Sequence, residues 1–426
     1  MAGPALSSSK ALCINELLVP HHLLEEVLVR IPLRDVFRCM SVCKLWLACI
    51  QDSPYFITRF IRRRIETEEA YSQHLLYKQC LSTGFHLVAT PIYCNVVDDG
   101  SDLSLNFLPL LAEEGDNGWL RGSSNGLLLC SSFGRRPCIY YICNPLTKQW
   151  LTLPPSPYGH QDRFRVGLVC EPFYHVKDEA GNLISLNDKV GYKVVRWGCI
   201  TAEYGADIDG DYGDVIHFEI FSSDTACWTT YKSRFRERDF PKAMSGSPIF
   251  VSHDRMIYWL LEGSEILVFN PYSEEPFHLS RLALPSNALL APFKGFNECQ
   301  GSLWVGQSLG AQVRVYMLVD GEWCLRHDVN FLAEMHWSSS SVKDVLRLRP
   351  DMFNFHAMHP SDPTVGYLSA SNRDSNIIFL ECDFAGRTLK VVAGDLDGNE
   401  QCDNLLYVLP FSFPLWPTPL PALPIA

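Results

Sequence analysis

The sequence predicts an α + β multidomain protein: three short N-terminal helices, a connector helix, then a mainly-β propeller of about five to six blades. Three observations carry that reading. The stretch "VPHHLLEEVLVRIPLRDVFRCMSVCKLW", Val19–Trp46, places apolar residues at spacings of three and four. From about residue 83 the pattern changes to short alternating runs broken by Gly, Asn, Pro and Asp, as in antiparallel strands. Within that region, a strand–turn–strand unit ending on an aromatic returns several times.

The helices come first. Pro20 suits a first helical turn, and Leu23, Leu24, Val27, Leu28 and Ile31 then share one broad face until Pro32 ends it. A second short helix runs through Leu33, Val36, Phe37 and Met40. Ser41 is placed to cap a third, carrying Val42, Cys43, Trp46, Leu47 and Ile50 as far as "DSP". So small a helical core usually needs a metal, disulfides or a partner. No metal spacing occurs here, so one apolar face is free either to pack on the next domain or to receive another protein's helices. After Pro54, "YFITRFIRRRIETEEAYSQHLLYKQC" reads as a longer connector helix over 58–82, its triple arginine neutralised by the acids that follow.

The β region spans 83–412. "NGLLLCSSFGRRPCIYYICNPLTKQWLTLPP" gives strand, turn, strand, Asn-Pro turn and a last strand bearing Trp150. Ser222 to Trp228 repeats the spacing of Asn144 to Trp150, and the unit recurs around Phe277, around Trp323 and more loosely around Leu389. Long steps between units imply inserted loops, chiefly "CEPFYHVKDEAGNLISLNDK" and "TAEYGADIDGDYGD". A sixth unit forms if "GFHLVATPIYC" or "SLNFLPLL" pairs with the terminal "NLLYVLPF". A β-sandwich is the alternative, but nothing in it would require the rhythm to return. Residues 1–16 are expected to be a flexible N-terminus, and the Pro-rich tail, 413–426, an extended or disordered end.

At this point the residues resemble a known family. The order V-P-x-x-L-L-x-E-x-L-x-R-I-P, then V-C-K-x-W, then "DSPYF" is similar to an F-box over 17–57, with Val19 where Leu is commoner. "SSNGLLLCSS…YYICNPLTKQWLTLPP" more loosely resembles the kelch-like, F-box-associated domain of plant F-box proteins, although most units lack the kelch double glycine. The resemblance implies a substrate-recognition subunit of an SCF (Skp, cullin, F-box) ubiquitin ligase. The F-box would bind the Skp-type adaptor and, through it, the cullin and RING subunits. The propeller would hold an unidentified protein substrate. The implied adaptor-facing set is Pro20, Leu23, Leu24, Val27, Leu28, Ile31, Pro32, Leu33, Val36, Val42, Cys43 and Trp46, some of which must be internal core. Trp46 fits either an interface or a plug that holds the helices together.

Charge and cysteines narrow the partners. Of the formal charge of -12, residues 1–80 hold 10 Lys and Arg against 8 acids, and the remainder 26 against 40, so nucleic acid is not expected as a partner. The 16 cysteines are scattered with no C-x-x-C, there is no N-x-[ST], and no leader pattern stands at the start. Reduced thiols in the cytosol or nucleus are expected, with no membrane span. "GSSNG" (Gly122–Gly126) and "GQSLG" (Gly306–Gly310) match a nucleophile elbow, but strand pattern follows each, so hairpin turns are expected. "DIDGDYGD" has calcium-loop spacing with Tyr212 where Gly belongs and Phe218 where Glu belongs. No catalytic residue, metal or cofactor is expected. The remaining alternative is a propeller enzyme or small-ligand binder with an incidental N-terminal helical extension.

Overall fold

The computed structural model describes residues 20–51, 53–67, 73–78, 86–89, 105, 107–109, 119–132, 138–159, 164–177, 183–187, 189–199, 213–236, 250–261, 265–273, 279–286, 291, 293–334, 336–337, 353–360, 362–371, 377–394, 407–412 and 414–424. Two compact units form: Met1–Ala70 with Val176–Leu186, and Tyr71–His175 with Asn187–Ala426.

In the first unit α1 is His21–Leu28, α2 Leu33–Cys39, α3 Lys44–Gln51 and α4 Pro54–Glu66. Pro20 and Pro32 stand as the N-caps of α1 and α2, so each proline fixes an entry where its missing N–H costs nothing. The Ser41 hydroxyl donates to Arg38 O (2.7 Å), so it closes α2 and does not cap α3 as expected. Ser53 caps α4 by accepting from Phe56 N (3.2 Å). The connector helix stops at Glu66, well short of 82, because Gln73–Lys78 is a strand.

That strand, β1, pairs with β2 (His86–Ala89) and opens the second unit. Five further sheets follow in chain order. The first blade is β3 (Trp119–Ser124), β4 (Leu127–Ser131), β5 (Tyr140–Asn144) and β6 (Gln149–Thr152). The second is β7 (Arg165–Cys170), β10 (Tyr192–Cys199), β11 (Gly213–Ser222) and β12 (Cys227–Arg236), with β8 (Tyr174–Lys177) and β9 (Leu183–Leu186) inserted as a separate hairpin. Within the helical unit, β9 packs against α4. The third blade is β13 (Phe250–His253), β14 (Met256–Leu261), β15 (Glu265–Phe269) and β16 (Leu279–Ala283). The fourth is β17 (Phe293–Cys299), β18 (Ser302–Leu309), β19 (Gln312–Val319) and β20 (Glu322–Asn330), followed by the single turn α5 (Phe331–Glu334). The fifth is β22 (Asn354–His359), β23 (Asp362–Ser371), β24 (Ile377–Asp383) and β25 (Thr388–Gly394), with β21 (His336–Trp337) parallel to β25.

The last strand, β26 (Tyr407–Ser412), returns to pair antiparallel with β1 from Gln73↔Ser412 to Lys78↔Tyr407. Innermost strands touch in the order β3, β7, β13, β17, β22, β26 and back to β3, so the three-stranded sheet β2-β1-β26 completes a ring of five full blades. The chain end supplies the closing strand, as expected, but its direct partner is "QHLLYK" and not "GFHLVAT". A helical reading of "QHLLYK" rested on local continuity with α4, and pairing across the whole chain length overrides it.

Inner strands are buried throughout, as in β4, β5 and β7, whereas the outer strands β6 and β16 are largely exposed. The Asn-Pro rhythm has a local cause. Asn144 Oδ1 accepts from Leu146 N (2.9 Å) and Thr147 N (3.2 Å), and Asn270 Oδ1 accepts from Tyr272 N (2.9 Å), so each side chain shapes the turn into the outer strand. The aromatic rhythm has a tertiary cause. Trp150, Trp228, Trp323 and Leu389 occupy one register position, opposite Cys143, Phe221, Leu318 and Cys382. Trp228 Nε1 donates to Pro154 O (2.9 Å), two residues past the outer strand of the preceding blade, and Trp323 Nε1 donates to Ala283 O (2.8 Å), the last residue of the preceding outer strand. Phe277 lies outside the described residues.

The Pro-rich tail is extended yet docked. Leu415, Trp416 and Thr418 are buried, Thr418 O accepts from Asn144 Nδ2 (2.7 Å), and Leu415 N donates to the Tyr174 hydroxyl (2.8 Å). Pro414 lies where a Cβ on Gly126 would be, in the β3–β4 turn (Gly126 φ +79).

Trp228→Ala is expected to cost about 3 kcal/mol, through lost packing and the lost inter-blade bond. Trp150, which is 41% exposed, should cost well under half of that on the same change. Thermal or denaturant unfolding of both variants checks the order. Deleting residues 413–426 exposes Leu415 and Trp416 and should cost about 3 kcal/mol or more; deleting 403–426 also removes β26 and should prevent folding of the ring.

Candidate functional site

The helical unit presents two apolar surfaces where a helix of this length normally presents one. Leu24, Leu28, Val29, Leu33 and Val36 are buried, as are Cys49, Ile50, Phe56, Ile57, Phe60 and Ile61. Leu23 and Val27, at i,i+4 on the other side of α1, are exposed, and so are Val42, Leu45, Leu47 and Tyr55. Of the twelve residues singled out from the sequence, Leu24, Leu28, Leu33 and Val36 therefore form core. Pro20, Leu23 and Val42 are at the surface with Val27, while Ile31, Pro32, Cys43 and Trp46 are half-buried. Trp46 is half-buried, and its enclosed indole N–H has no acceptor among the described residues.

Leu45 and Tyr55 were not anticipated, and Leu47 was read as part of the third helix but not as a site residue. Val42, Leu45 and Ala48 share a spacing of three and are all exposed, whereas Cys49 and Ile50 face inward. The spacing of that second stripe was visible in the sequence, but its exposure was not. Charged residues fix the rest of the unit. Arg59 on α4 pairs with Glu26 and reaches Glu25 (3.7 Å), and Arg30 pairs with Glu26 (2.5 Å). Hydrogen bonds from Arg59 first, then Arg30, hold the Glu26 carboxyl below the usual carboxylate range.

The innermost strands are joined by their own side chains. Ser124 Oγ accepts from Cys170 N (3.0 Å) and shares a 2.7 Å hydrogen bond with Ser252 Oγ, while Asn125 Nδ2 donates to Cys170 O (2.7 Å). The inner strands of the first three blades are thereby knotted together at one end. The Phe250 ring occupies the space a Cβ on Gly122 would need, and Phe355 does the same at Gly295 and Gly306. Both elbow-like sequences are hairpins: Asn125 (φ 45) and Gly126 form a tight turn between β3 and β4, and Ser308 lies within β18, where its Oγ accepts from Phe355 N (3.3 Å). The candidate nucleophile Ser124 is buried and fully engaged. The Cys170 thiol beside it is pushed up by burial, which opposes thiolate chemistry.

A buried ion pair sets the connection between blades one and two. Arg196 Nη1 donates to Glu219 Oε2 (2.5 Å), Arg196 Nη2 to Gly159 O (3.0 Å), and Tyr158 N to Glu219 Oε1 (2.8 Å). Burial pushes the Glu219 carboxyl up, and Arg196 and the Tyr158 N–H pull it back. Among the described residues no group of three or more His, Cys, Asp or Glu side chains is arranged to hold a metal. The calcium-like stretch at 207–212 and the acidic segment at 395–403 lie outside the described residues. No described helix is long and apolar enough to cross a membrane.

A small helical module with a second exposed apolar stripe, joined to a closed β-propeller, defines the F-box and propeller class. A model of the F-box domain matches residues 17–58, and one described as "F-box protein At3g26010-like, beta-propeller" matches 94–414. The chain belongs to this family of F-box proteins with an At3g26010-like β-propeller. It is 28% identical to F-box protein At5g49610 of Arabidopsis thaliana over 58% of this chain and 59% of that protein. It is 26% identical to F-box protein At3g26010 of the same plant, over 80% of this chain and 72% of that one. F-box protein At5g03970 is 26% identical over 77% and 73%.

Two histidines give the propeller opposite responses to pH. His253 Nδ1 on β13 pairs with Glu298 Oε2 on β17 (3.2 Å), and that bond is the main cause that raises its pKa, with Asp254 adding to it. Its contribution is fully present below the ordinary histidine pKa and is lost as pH rises through the raised value. Glu298→Gln should therefore destabilise the protein more at pH 5.5 than at pH 8.5, by under about 1 kcal/mol given the exposure of Glu298. His356, bonded to Ser369 Oγ (2.7 Å), is lowered to about 4 by burial and then by Lys294. It contributes above the ordinary histidine pKa and is lost as pH falls towards 4. Melting temperatures of Glu298→Gln and His356→Gln across pH 4 to 8.5 check both signs; pH-independent differences would overturn the assignment.

Proposed function

We propose that this chain is a non-catalytic substrate receptor of an SCF ubiquitin ligase, acting in the cytosol or nucleus. The F-box helices dock on the Skp-type adaptor, and through it on the cullin and RING subunits, while the propeller holds the protein to be ubiquitinated. The observation that carries this reading is the exposed apolar set on the helical unit: Leu23, Val27, Val42, Leu45, Leu47 and Tyr55. A unit that small leaves such a set in water only at a cost, and burial against partner helices recovers it at about 25 cal/mol per Å². Half-buried Ile31, Pro32, Cys43 and Trp46 border the set and complete the contact, and the buried Leu24, Leu28, Leu33 and Val36 shape it from behind.

The propeller supports a receptor role by its rigidity: Ser124, Ser252 and Cys170 tie the innermost strands of three blades together, and Phe250 and Phe355 fill close approaches between blades. Recognition of a protein on the loops of such a rigid ring fits that architecture.

The test separates interface from core. Leu23→Asp with Val27→Asp places two charges in the desolvated contact and should weaken adaptor capture by at least about a hundredfold, from a cost of roughly 3 kcal/mol or more. Circular dichroism and melting temperature should stay near those of the unaltered chain, because both side chains are already exposed. Leu28→Asp should instead unfold the helices. Unchanged capture of a Skp-type adaptor by the folded double variant would overturn the reading.

A further inference from the structure

We propose that the end of the propeller at which the inner strands begin is an anion site, and that it holds an acidic segment of the substrate protein bearing carboxylate or phosphate oxygens. The occupant's being a substrate rests on the receptor reading; the charge placement does not. Contacts between blades fix which strand ends lie together. Ser124, Cys170 and Ser252 join the far ends of β3, β7 and β13. His253 meets Glu298 near the far ends of β13 and β17, and Asn297 Oδ1 accepts from Met358 N (2.9 Å) near those of β17 and β22. The five inner strands therefore run the same way round the ring, and their first residues share the opposite end. There Lys294 Nζ donates to Asn354 Oδ1 (2.7 Å), which ties the start of β17 to the start of β22.

Within the first three residues of these five strands stand Arg121, Arg165, Lys294 and His356, and no Asp or Glu. The far ends carry Glu171, Asp254 and Glu298 instead. Residues after 80 hold 26 Lys and Arg against 40 acids, so the basic end runs against the composition of its own domain. Three of the four basic residues sit on bulges. The register steps over Arg121 between Leu120 and Gly122, over Lys294 between Phe293 and Gly295, and over His356 between Phe355 and Ala357. A bulge gives up ladder pairing and re-aims a side chain. Ring closure does not require it to recur in three blades, each time at a basic residue. Arg165 is nearly enclosed over the Trp197 ring (5.9 Å), and Arg121 Nε donates to Ser131 Oγ (2.7 Å), so these two supply field. Exposed Lys294, with Asn354 and His356 beside it, supplies the contact. The Lys294 amine adds to burial in lowering His356 to about 4, which shows like charges held close; an anion between them offsets that cost. Because the basic residues belong to four blades, one small ion meets only some of them, whereas a segment with several oxyanions spans them.

The probes are three labelled hexapeptides added to the full chain without adaptor: Glu-Asp-Glu-Asp-Glu-Asp, Gly-Ser-Gly-phosphoSer-Gly-Ser, and the neutral Gln-Asn-Gln-Asn-Gln-Asn. Anisotropy should show saturable binding of one or both anionic peptides, the tighter naming the oxyanion, and none of the neutral one. Lys294→Gln should weaken binding about three- to tenfold with an unchanged melting temperature, and Lys294→Arg should restore it. Raising salt from about 50 to about 500 mM should weaken it further. In a chain with 13C-labelled histidine, the His356 signal, assigned with His356→Gln, should move and that of His253 at the far end should not. No binding at millimolar peptide overturns the proposal, as does equal affinity in Lys294→Gln or a shift at His253 alone. Inorganic phosphate that competes as well as either peptide overturns the protein segment, since a small ion would then suffice. Binding that appears only after Glu113, Glu114 and Asp116 are replaced by Gln and Asn overturns it too, because the occupant would be this chain. Loss of adaptor capture in the Leu23 and Val27 variant leaves these peptide affinities unchanged, so the two readings fail separately.

Discussion

Everything in the larger unit depends on one antiparallel pairing, β1 with β26. The two strands lie more than three hundred residues apart in sequence, and six register pairs, Gln73↔Ser412 to Lys78↔Tyr407, join them. An open ring would leave an inner edge at β22 and another at β3 unpaired, with the cluster of Leu105, Leu120, Leu128 and Phe411 facing water. Loop-closure entropy grows only slowly with length, so joining such distant segments costs little more than joining near ones. The docked tail extends the closure, because Thr418 ties the β3–β4 and β5–β6 turns of the first blade to the residues just beyond β26.

Around that constraint the blades repeat by mechanism, and their differences are informative. Asx turns at Asn144 and Asn270 and indole bonds at Trp228 and Trp323 are the same local solutions used again. Departures mark places where one blade does something further. The second blade buries Arg196 against Glu219, an arrangement that costs desolvation and gives in return a fixed path for Ser156 to Gly159. It also releases the β8–β9 hairpin, which belongs with the helices through β9 and α4. In the first blade the matching Trp150 is 41% exposed.

The helical unit follows a different logic. Its stability comes from a narrow core, chiefly Leu28, Val36, Ile50, Phe56, Phe60 and Ile61, and from the Glu26–Arg59 bridge between α1 and α4. Its function, in the reading proposed, comes from the apolar residues that this core leaves out. These helices of seven or eight residues carry two apolar stripes, and the core buries one of them.

By itself the sequence determined which residues turn and which continue. The prolines at 20 and 32, Ser53 before Pro54, the Asn-Pro dipeptides and Asn125–Gly126 act through their own dihedrals and side-chain bonds, so the F-box pattern and the blade rhythm were legible from local chemistry. Its inner and outer stripes were not separable. Leu23 and Leu24, or Leu45 and Trp46, are adjacent and equally apolar, and only the packed helices decide which one meets water. Nor could local pattern give "QHLLYK" its strand or "PLWPTPLP" its docked path, because both are fixed by partners hundreds of residues away. How deeply a tryptophan of the repeat is covered was likewise decided by packing, since the same residue at the same register bonds to the preceding blade in blades two and four and is 41% exposed in blade one.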